Sequence, residues 1–148
     1  GLQRNGFYKE AFDLAKRHHE QVAEVFKKTH TFWEYYAPEA TEPGLLARPD
    51  FVGWTGLVPI SVLFESLFGI NANYLKKTIE WRVNLTEEHG IDRYPIGPEG
   101  MLSLKCAARS SAKQRPTIEI KSNLELVLLL SWEGGSETIQ LHSGLNKI

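Results

Sequence analysis

One carboxylate lies within a dense cluster of aromatic residues. Glu34 follows Trp33 and precedes Tyr35 and Tyr36 in the stretch WEYYAPE. Aromatic rings can stack on the apolar faces of sugars, and they reduce the hydration of a neighbouring carboxyl group, which suits it to proton transfer. The stretch therefore predicts an acid in a sugar site, or else a helix end whose aromatic side chains pack on a core.

The segment that follows carries turn residues and then a second aromatic cluster. Residues 31–53 contain three prolines and two glycines and show no sustained period, which predicts an irregular loop. Loops of this length are often functional. Within the loop, Arg48 could bind a sugar hydroxyl or pair with Asp50. The loop ends in Gly53-Trp54-Thr55, at the start of an apolar segment.

These motifs together resemble a known enzyme family. WEYYAPE, the Gly/Pro loop and DFVGWTGLVPISVL are similar to the C-terminal catalytic region of trehalase-like and processing α-glucosidase-like glycoside hydrolases, whose catalytic domain is a toroid of six helical hairpins. The resemblance covers residues 5–142 and is strongest over 33–70. It implies that Glu34 is the general base of an inverting hydrolase. It also makes Trp33, Tyr36 and Trp54 walls of the sugar pocket, with Tyr35 and Arg48 as further candidate sugar-binding residues.

Two departures from the family pattern limit what the resemblance implies. Trehalases tend to carry Asp or Asn where this chain has Tyr36-Ala37-Pro38, so the sugar and its linkage stay open. The family's general acid, an Asp, belongs to an upstream part of the toroid, whereas glycoside hydrolysis generally requires two carboxyl groups. We therefore expect a C-terminal fragment of such an enzyme, acting in the parent on α-glucosides or related sugars and inactive alone.

Four other carboxylates could replace the missing acid, and a non-catalytic role is the alternative. The candidates are Asp50, Glu39, Glu42 and Glu65, each of which is also expected as an ordinary solvated residue or, for Glu65, as the polar position of a buried helix. The alternative function is a module that binds carbohydrate or a protein partner, an oligomerising remnant of such an enzyme.

Hydrophobic periodicity predicts an α+β fold. Apolar residues spaced by three and four predict a helix over residues 7–28, and a second helix, apolar around most of its circumference and expected to be buried, over 54–69. From residue 78 the period changes to two, which predicts antiparallel strands. The predicted strands are 78–85, 101–108, 116–122, 124–132 and 137–142, with 116–122 at a sheet edge and 89–100 as a hairpin connection held by Asp92 and Arg93. The predicted units are a helical hairpin over 1–70, the last hairpin of the (α/α) toroid by resemblance, and an antiparallel β-sheet or sandwich over 71–148.

The composition restricts the classes of binding partner that we expect. The chain has 17 Lys and Arg against 18 Asp and Glu, which disfavours nucleic acid and anionic membranes. Pro59 and Glu65 interrupt the apolar stretch 54–70, so no membrane span is expected. Because that stretch is apolar nearly all round, we expect a homodimer, or cover from the remainder of the parent barrel. The composition does not separate a periplasmic from a cytoplasmic bacterial protein.

The cysteine and histidine pattern predicts no metal and no cofactor. Cys106 is the single cysteine and sits at an alternating strand position, so no disulfide or CxxC site is expected. His18 and His19 are adjacent and face different directions on a helix, which disfavours a zinc site and predicts solvated or half-buried side chains.

Overall fold

A computed structural model describes residues 1–51, 53 and 57–148. These residues form two compact units, a helical unit over Gly1–Leu67 and a β unit over Phe68–Ile148. The α+β class, with N-terminal helices followed by antiparallel-rich sheets, is confirmed.

The first helix of the helical unit is the predicted amphipathic one. A short 3₁₀ turn over Gln3–Asn5 precedes α1, which spans Tyr8–Thr29. The predicted apolar stripe provides the buried positions of α1, which are Ala11, Ala15, Val22 and Val25. The helix ends at His30, whose left-handed conformation (φ 57°) turns its N–H onto the carbonyl of Phe26 at 2.7 Å.

The second helix is shorter and less covered than the sequence predicts. Helix α2 spans Leu57–Val62 and continues as a π-helical turn over Leu63–Leu67, while the predicted start at Trp54 lies outside the described residues. The prediction of a buried helix is wrong, because none of these residues is buried and the Leu57 side chain is 69% exposed. Within the described part of this unit, α1 and the loop before α2 cover only part of its circumference.

The β unit contains eight strands in two four-stranded sheets. The first sheet has the order β1-β2-β6-β7 and the second β3-β4-β5-β8. All neighbouring strands are antiparallel except β2 and β6, which are parallel. The strands are β1 Ile70–Asn73, β2 Thr78–Arg82, β3 His89–Ile96, β4 Gly100–Cys106, β5 Ile118–Ser122, β6 Leu126–Trp132, β7 Gly135–Leu141 and β8 Gly144–Lys147.

Alternating residues of both sheets form one hydrophobic core. Trp81 of β2 is 1% exposed, and its indole N–H donates to the carbonyl of Phe68 at 3.0 Å. On β6, Leu128 is fully buried. Leu104 of β4 and Ile120 of β5 belong to the same cluster. The β unit is therefore a sandwich with a continuous apolar interior.

Two sequence predictions for the β unit are wrong. Most of the predicted connection over 89–100 is strand β3, interrupted by a bulge where Arg93 adopts a φ of 58°. Asp92, in the bulge, accepts a hydrogen bond from the Ser103 hydroxyl of β4. The segment 116–122 is no sheet edge, because β5 lies between β4 and β8. The sequence does not predict strand β8, because Gly144–Lys147 is too short and too polar to show the alternation of apolar residues that is typical of a strand.

A buried arginine ties the loop after β4 to the end of β2. Arg109 is 8% exposed, and its guanidinium donates to four backbone carbonyls. One terminal nitrogen reaches Val83 O at 3.1 Å and Leu85 O at 2.8 Å. The other reaches Ala112 O at 3.3 Å and Gln114 O at 2.7 Å. A single side chain thus organises the backbone on both sides of the loop.

Candidate functional site

The aromatic loop is residues 31–53, of which the structure describes 31–51 and 53, and the described part folds back on itself as two paired arms. Its arms meet in isolated bridges between Trp33 and Pro49 and between Tyr36 and Pro43. The Asp50 N–H donates to Phe32 O at 2.9 Å, which closes the base of the loop. The predicted irregular loop therefore has a defined backbone.

Glu34 is held through its main chain in the middle of these arms. Its N–H donates to the carbonyl of Arg48 at 3.0 Å, and its side chain is half-buried. One residue on, the carbonyl of Tyr35 accepts from Gly44 N at 3.0 Å. Two cross-arm bonds in succession fix the direction in which the Glu34 side chain leaves the backbone.

The aromatic neighbours of Glu34 are also tied down. The Trp33 indole N–H donates to the Thr29 hydroxyl at 3.0 Å, which anchors the loop to the end of α1. The Trp33 N–H donates to the Tyr36 hydroxyl at 3.3 Å, and the Tyr35 hydroxyl donates to Leu45 O at 2.5 Å. Each of the three rings that flank Glu34 thus has a polar anchor.

Trp33 and Tyr36 line an apolar groove of about 600 Å³ between α1, the loop and α2. Of the described candidate residues, Glu34, Tyr35 and Arg48 lie outside this groove. The structure therefore divides the predicted sugar-binding set. The groove is lined by His19, Val22, Ala23, Phe26, Lys27, Phe32, Trp33, Tyr36, Pro59, Ile60 and Leu63.

The remaining predicted residues have simple environments. Arg48 is exposed and contributes its carbonyl to Glu34, while the carboxylate of Asp50 accepts a hydrogen bond from the Thr31 hydroxyl. Glu65 accepts a hydrogen bond from the Ser61 hydroxyl at 3.0 Å. Trp54, the predicted third wall of the pocket, lies outside the described residues.

His19 is a polar residue of the groove that the sequence interpretation did not name as a site residue. The ring of His19 lies 2.9 Å through Nδ1 from the carbonyl of Ala15 and 2.8 Å through Nε2 from the carbonyl of Pro59 on α2. The adjacent His18 is half-buried, and burial together with the nearby His19 lowers the pKa of His18. The available signal was the helical spacing that aligns His19 with Val22 and Phe26 on one face of α1.

Neither a metal cluster nor a membrane helix is found in the described residues. Among residues 1–51, 53 and 57–148, no three His, Cys, Asp or Glu side chains are grouped so as to hold a metal ion. In the same residues, every helix is too short or too polar to cross a bilayer.

Comparison of the chain with models of protein families, with curated proteins and with solved structures gives no match.

Proposed function

We propose that this chain is the C-terminal catalytic part of an inverting glycoside hydrolase that acts on α-glucosides or related sugars, with Glu34 as the general base. The observation that carries the proposal is the fixed position of Glu34. Its backbone is bonded across the aromatic loop, and the rings of Trp33, Tyr35 and Tyr36 beside it are each hydrogen-bonded. A base must be held in place to activate a water molecule, and preorganisation of this kind supplies such a constraint.

The general acid of this reaction comes from elsewhere in the complete enzyme. Asp50 is engaged by Thr31, and Glu65 is engaged by Ser61, so two of the four substitute candidates already have hydrogen-bonding partners. Glu39 and Glu42 are exposed at the far end of the loop. In the complete enzyme, the acid carboxyl should stand about 6.5 to 9.5 Å from that of Glu34, with space for a water molecule between them.

The incomplete cover of the helical unit agrees with this proposal. Ile60 is 54% exposed and Val58 51% exposed on α2, and the neighbouring groove is open and almost wholly apolar. Helices of the parent barrel would bury this surface. The rings of Trp33 and Tyr36 would then each face the barrel with one edge and the sugar site with the opposite edge.

The open groove also favours a second candidate function. A groove lined by Val22, Phe26, Ile60 and Leu63 suits an apolar protein surface better than a sugar, whose hydroxyl groups need polar partners. The second candidate is therefore a non-catalytic module that binds a protein partner, including a second copy of the chain. In that case the aromatic loop is a structural support for the groove.

The test is to assay the isolated chain and the chain joined to its upstream region against trehalose and aryl α-glucosides. The isolated chain should be inactive, and the longer protein should hydrolyse at least one of these substrates. In the longer protein, Glu34→Gln keeps the shape of the side chain and removes the base, so kcat should fall by about 10² or more with little change in substrate binding.

A matched control is Glu39→Gln, which removes a carboxylate from the same loop at an exposed position. It should leave kcat close to that of the parent. Turnover by the isolated chain that Glu34→Gln abolishes would show that a second carboxylate completes the site within this chain. An active longer protein that tolerates Glu34→Gln would refute the role of Glu34 as base.

A further inference from the structure

The contacts of His19 assign a protonation state that the sequence does not reveal. Both ring nitrogens lie within hydrogen-bonding distance of backbone carbonyl oxygens, Ala15 O at 2.9 Å and Pro59 O at 2.8 Å. A carbonyl oxygen can only accept a hydrogen bond. A neutral imidazole has one N–H, so it can satisfy one of the two carbonyls, whereas an imidazolium donates to both.

Either neutral tautomer would turn one of these contacts into a repulsion. With the proton on Nδ1, the lone pair of Nε2 would face Pro59 O at 2.8 Å, and with the proton on Nε2, the lone pair of Nδ1 would face Ala15 O at 2.9 Å. The ring would then have to move away from one carbonyl. Because Ala15 belongs to α1 and Pro59 to α2, this movement changes the contact between the two helices.

We propose that protonated His19 is a pH-sensitive tie that fastens α2 to α1 and sets the width of the apolar groove. The ring lines the groove together with Pro59, Ile60 and Leu63 of the α2 segment, so its two hydrogen bonds position one wall relative to the other. The tie goes beyond the proposed hydrolase and is independent of it. It holds whether the groove receives a barrel helix, another protein or a second copy of the chain.

Three other titratable side chains of α1 and the aromatic loop lie near His19 or line the same groove. The rings of His18 and His19 meet edge to face with their centroids 5.6 Å apart, and burial together with the neighbouring His19 lowers the pKa of His18. Lys27 of α1 and Tyr36 of the aromatic loop line the same groove, and Lys27 pairs with Glu24 at 2.6 Å. The groove-lining residues of α2 and the π-helical turn that the structure describes carry no charge.

The remaining charge of the α2 segment faces another part of the helical unit. Glu65 of the π-helical turn lines a separate groove beside His18 and Ala15, where its side chain is held by Ser61. Burial lowers the pKa of His18 and so disfavours its charged form. A measurement of overall stability against pH would mix the responses of His18 and His19, so the test must resolve each ring.

The experiment is nitrogen-15 NMR of the histidine rings in the full chain, combined with amide hydrogen exchange of residues 60–67, between about pH 5 and 8. At the acid end, both ring nitrogens of His19 should carry protons. As His19 loses its proton, the protection factors of the α2 amides should fall by about tenfold or more, the factor expected for one hydrogen bond to a charged group. His18→Gln should leave this coupling intact.

His19→Gln provides the matched variant, because glutamine keeps an N–H donor and does not titrate. Its α2 protection should be independent of pH over the same range. The proposal is overturned if His19 is neutral in a single tautomer throughout, or if the α2 protection follows the titration of His18. Because the ring spectra are recorded on the unmodified chain, a variant that fails to fold does not obscure the result. No sugar or enzymatic assay enters the test, so its outcome is separate from that of the hydrolase proposal.

Discussion

The clearest stability prediction concerns Arg109, whose replacement by Met keeps an apolar stem and removes every side-chain donor. The guanidinium satisfies four carbonyls, of which Val83 O is in the most buried contact. An unsatisfied buried carbonyl costs about 1 to 3 kcal/mol, and each of the three part-buried carbonyls loses about 0.5 to 1.5 kcal/mol because water can replace the donor in part. We therefore expect Arg109→Met to lower the free energy of unfolding of the β unit by about 2.5 to 7.5 kcal/mol, a large part of the 5 to 15 kcal/mol typical of a domain.

A second arginine of the same unit supplies the matched control. Arg115 also makes good hydrogen bonds, two of 2.7 Å to the carboxylate of Glu137, but both side chains are on the surface. Surface ion pairs contribute little because water replaces them. Arg115→Met should thus be far milder than Arg109→Met.

Urea denaturation followed by tryptophan fluorescence measures both variants. Trp81 and Trp132 lie in the β unit and report its unfolding, and substitution of Trp33 removes one signal of the helical unit. Equal losses of stability in Arg109→Met and Arg115→Met would refute the reasoning, since the larger loss expected for Arg109→Met comes from the number and burial of the carbonyls that Arg109 satisfies.

Three further outcomes are expected. Sedimentation should show association of the chain through α2, so Ile60→Glu should yield a monomer. Leu75→Glu, at a still more exposed apolar residue of the β unit, should not, and a wild-type monomer would contradict this. The Cys106 thiol is buried, and that burial raises its pKa. A thiol reagent should therefore label Cys106 only in urea, and rapid labelling of the native chain would be inconsistent with the core described above. Gly69 has a φ of 70°, and an added Cβ would lie 2.0 Å from the carbonyl oxygen of Arg82. Gly69→Ala should therefore destabilise the chain by about 2 kcal/mol or more in thermal melts. A change within about 0.5 kcal/mol would contradict this close approach.

The sequence predicts the elements whose residues repeat with a clear period. Helix α1 follows from the spacing of Ala11, Ala15, Val22 and Val25, and β6 follows from its apolar alternation. The period cannot reveal which strands are neighbours. Nothing local to β2 indicates that it pairs with β6 rather than with the next strand in the chain, so the parallel pair was not predicted.

Other errors arise where a backbone feature interrupts the pattern. The bulge at Asp92 and Arg93 shifts the register of β3 by disrupting the alternation, and the segment therefore resembles a turn. In the candidate site, the aromatic residues are visible in the sequence. Which of them line the groove (Trp33 and Tyr36) and which lies outside it (Tyr35) depends on hydrogen bonds between the two arms of the loop. The contact of His19 with Pro59 depends on how two helices pack, which no local pattern records.

The parallel pairing of β2 with β6 has a consequence for how the β unit is made. Thr78 pairs with Val127, and β3, β4 and β5 of the other sheet all lie between them in the chain. During synthesis one edge of β2 stays unpaired until β6 has been synthesised. Closing so long a loop costs conformational entropy, which slows the pairing of β2 with β6. We expect slow refolding of this unit, and aggregation of nascent chains that end before Trp132, because their exposed β2 edge can pair with another molecule.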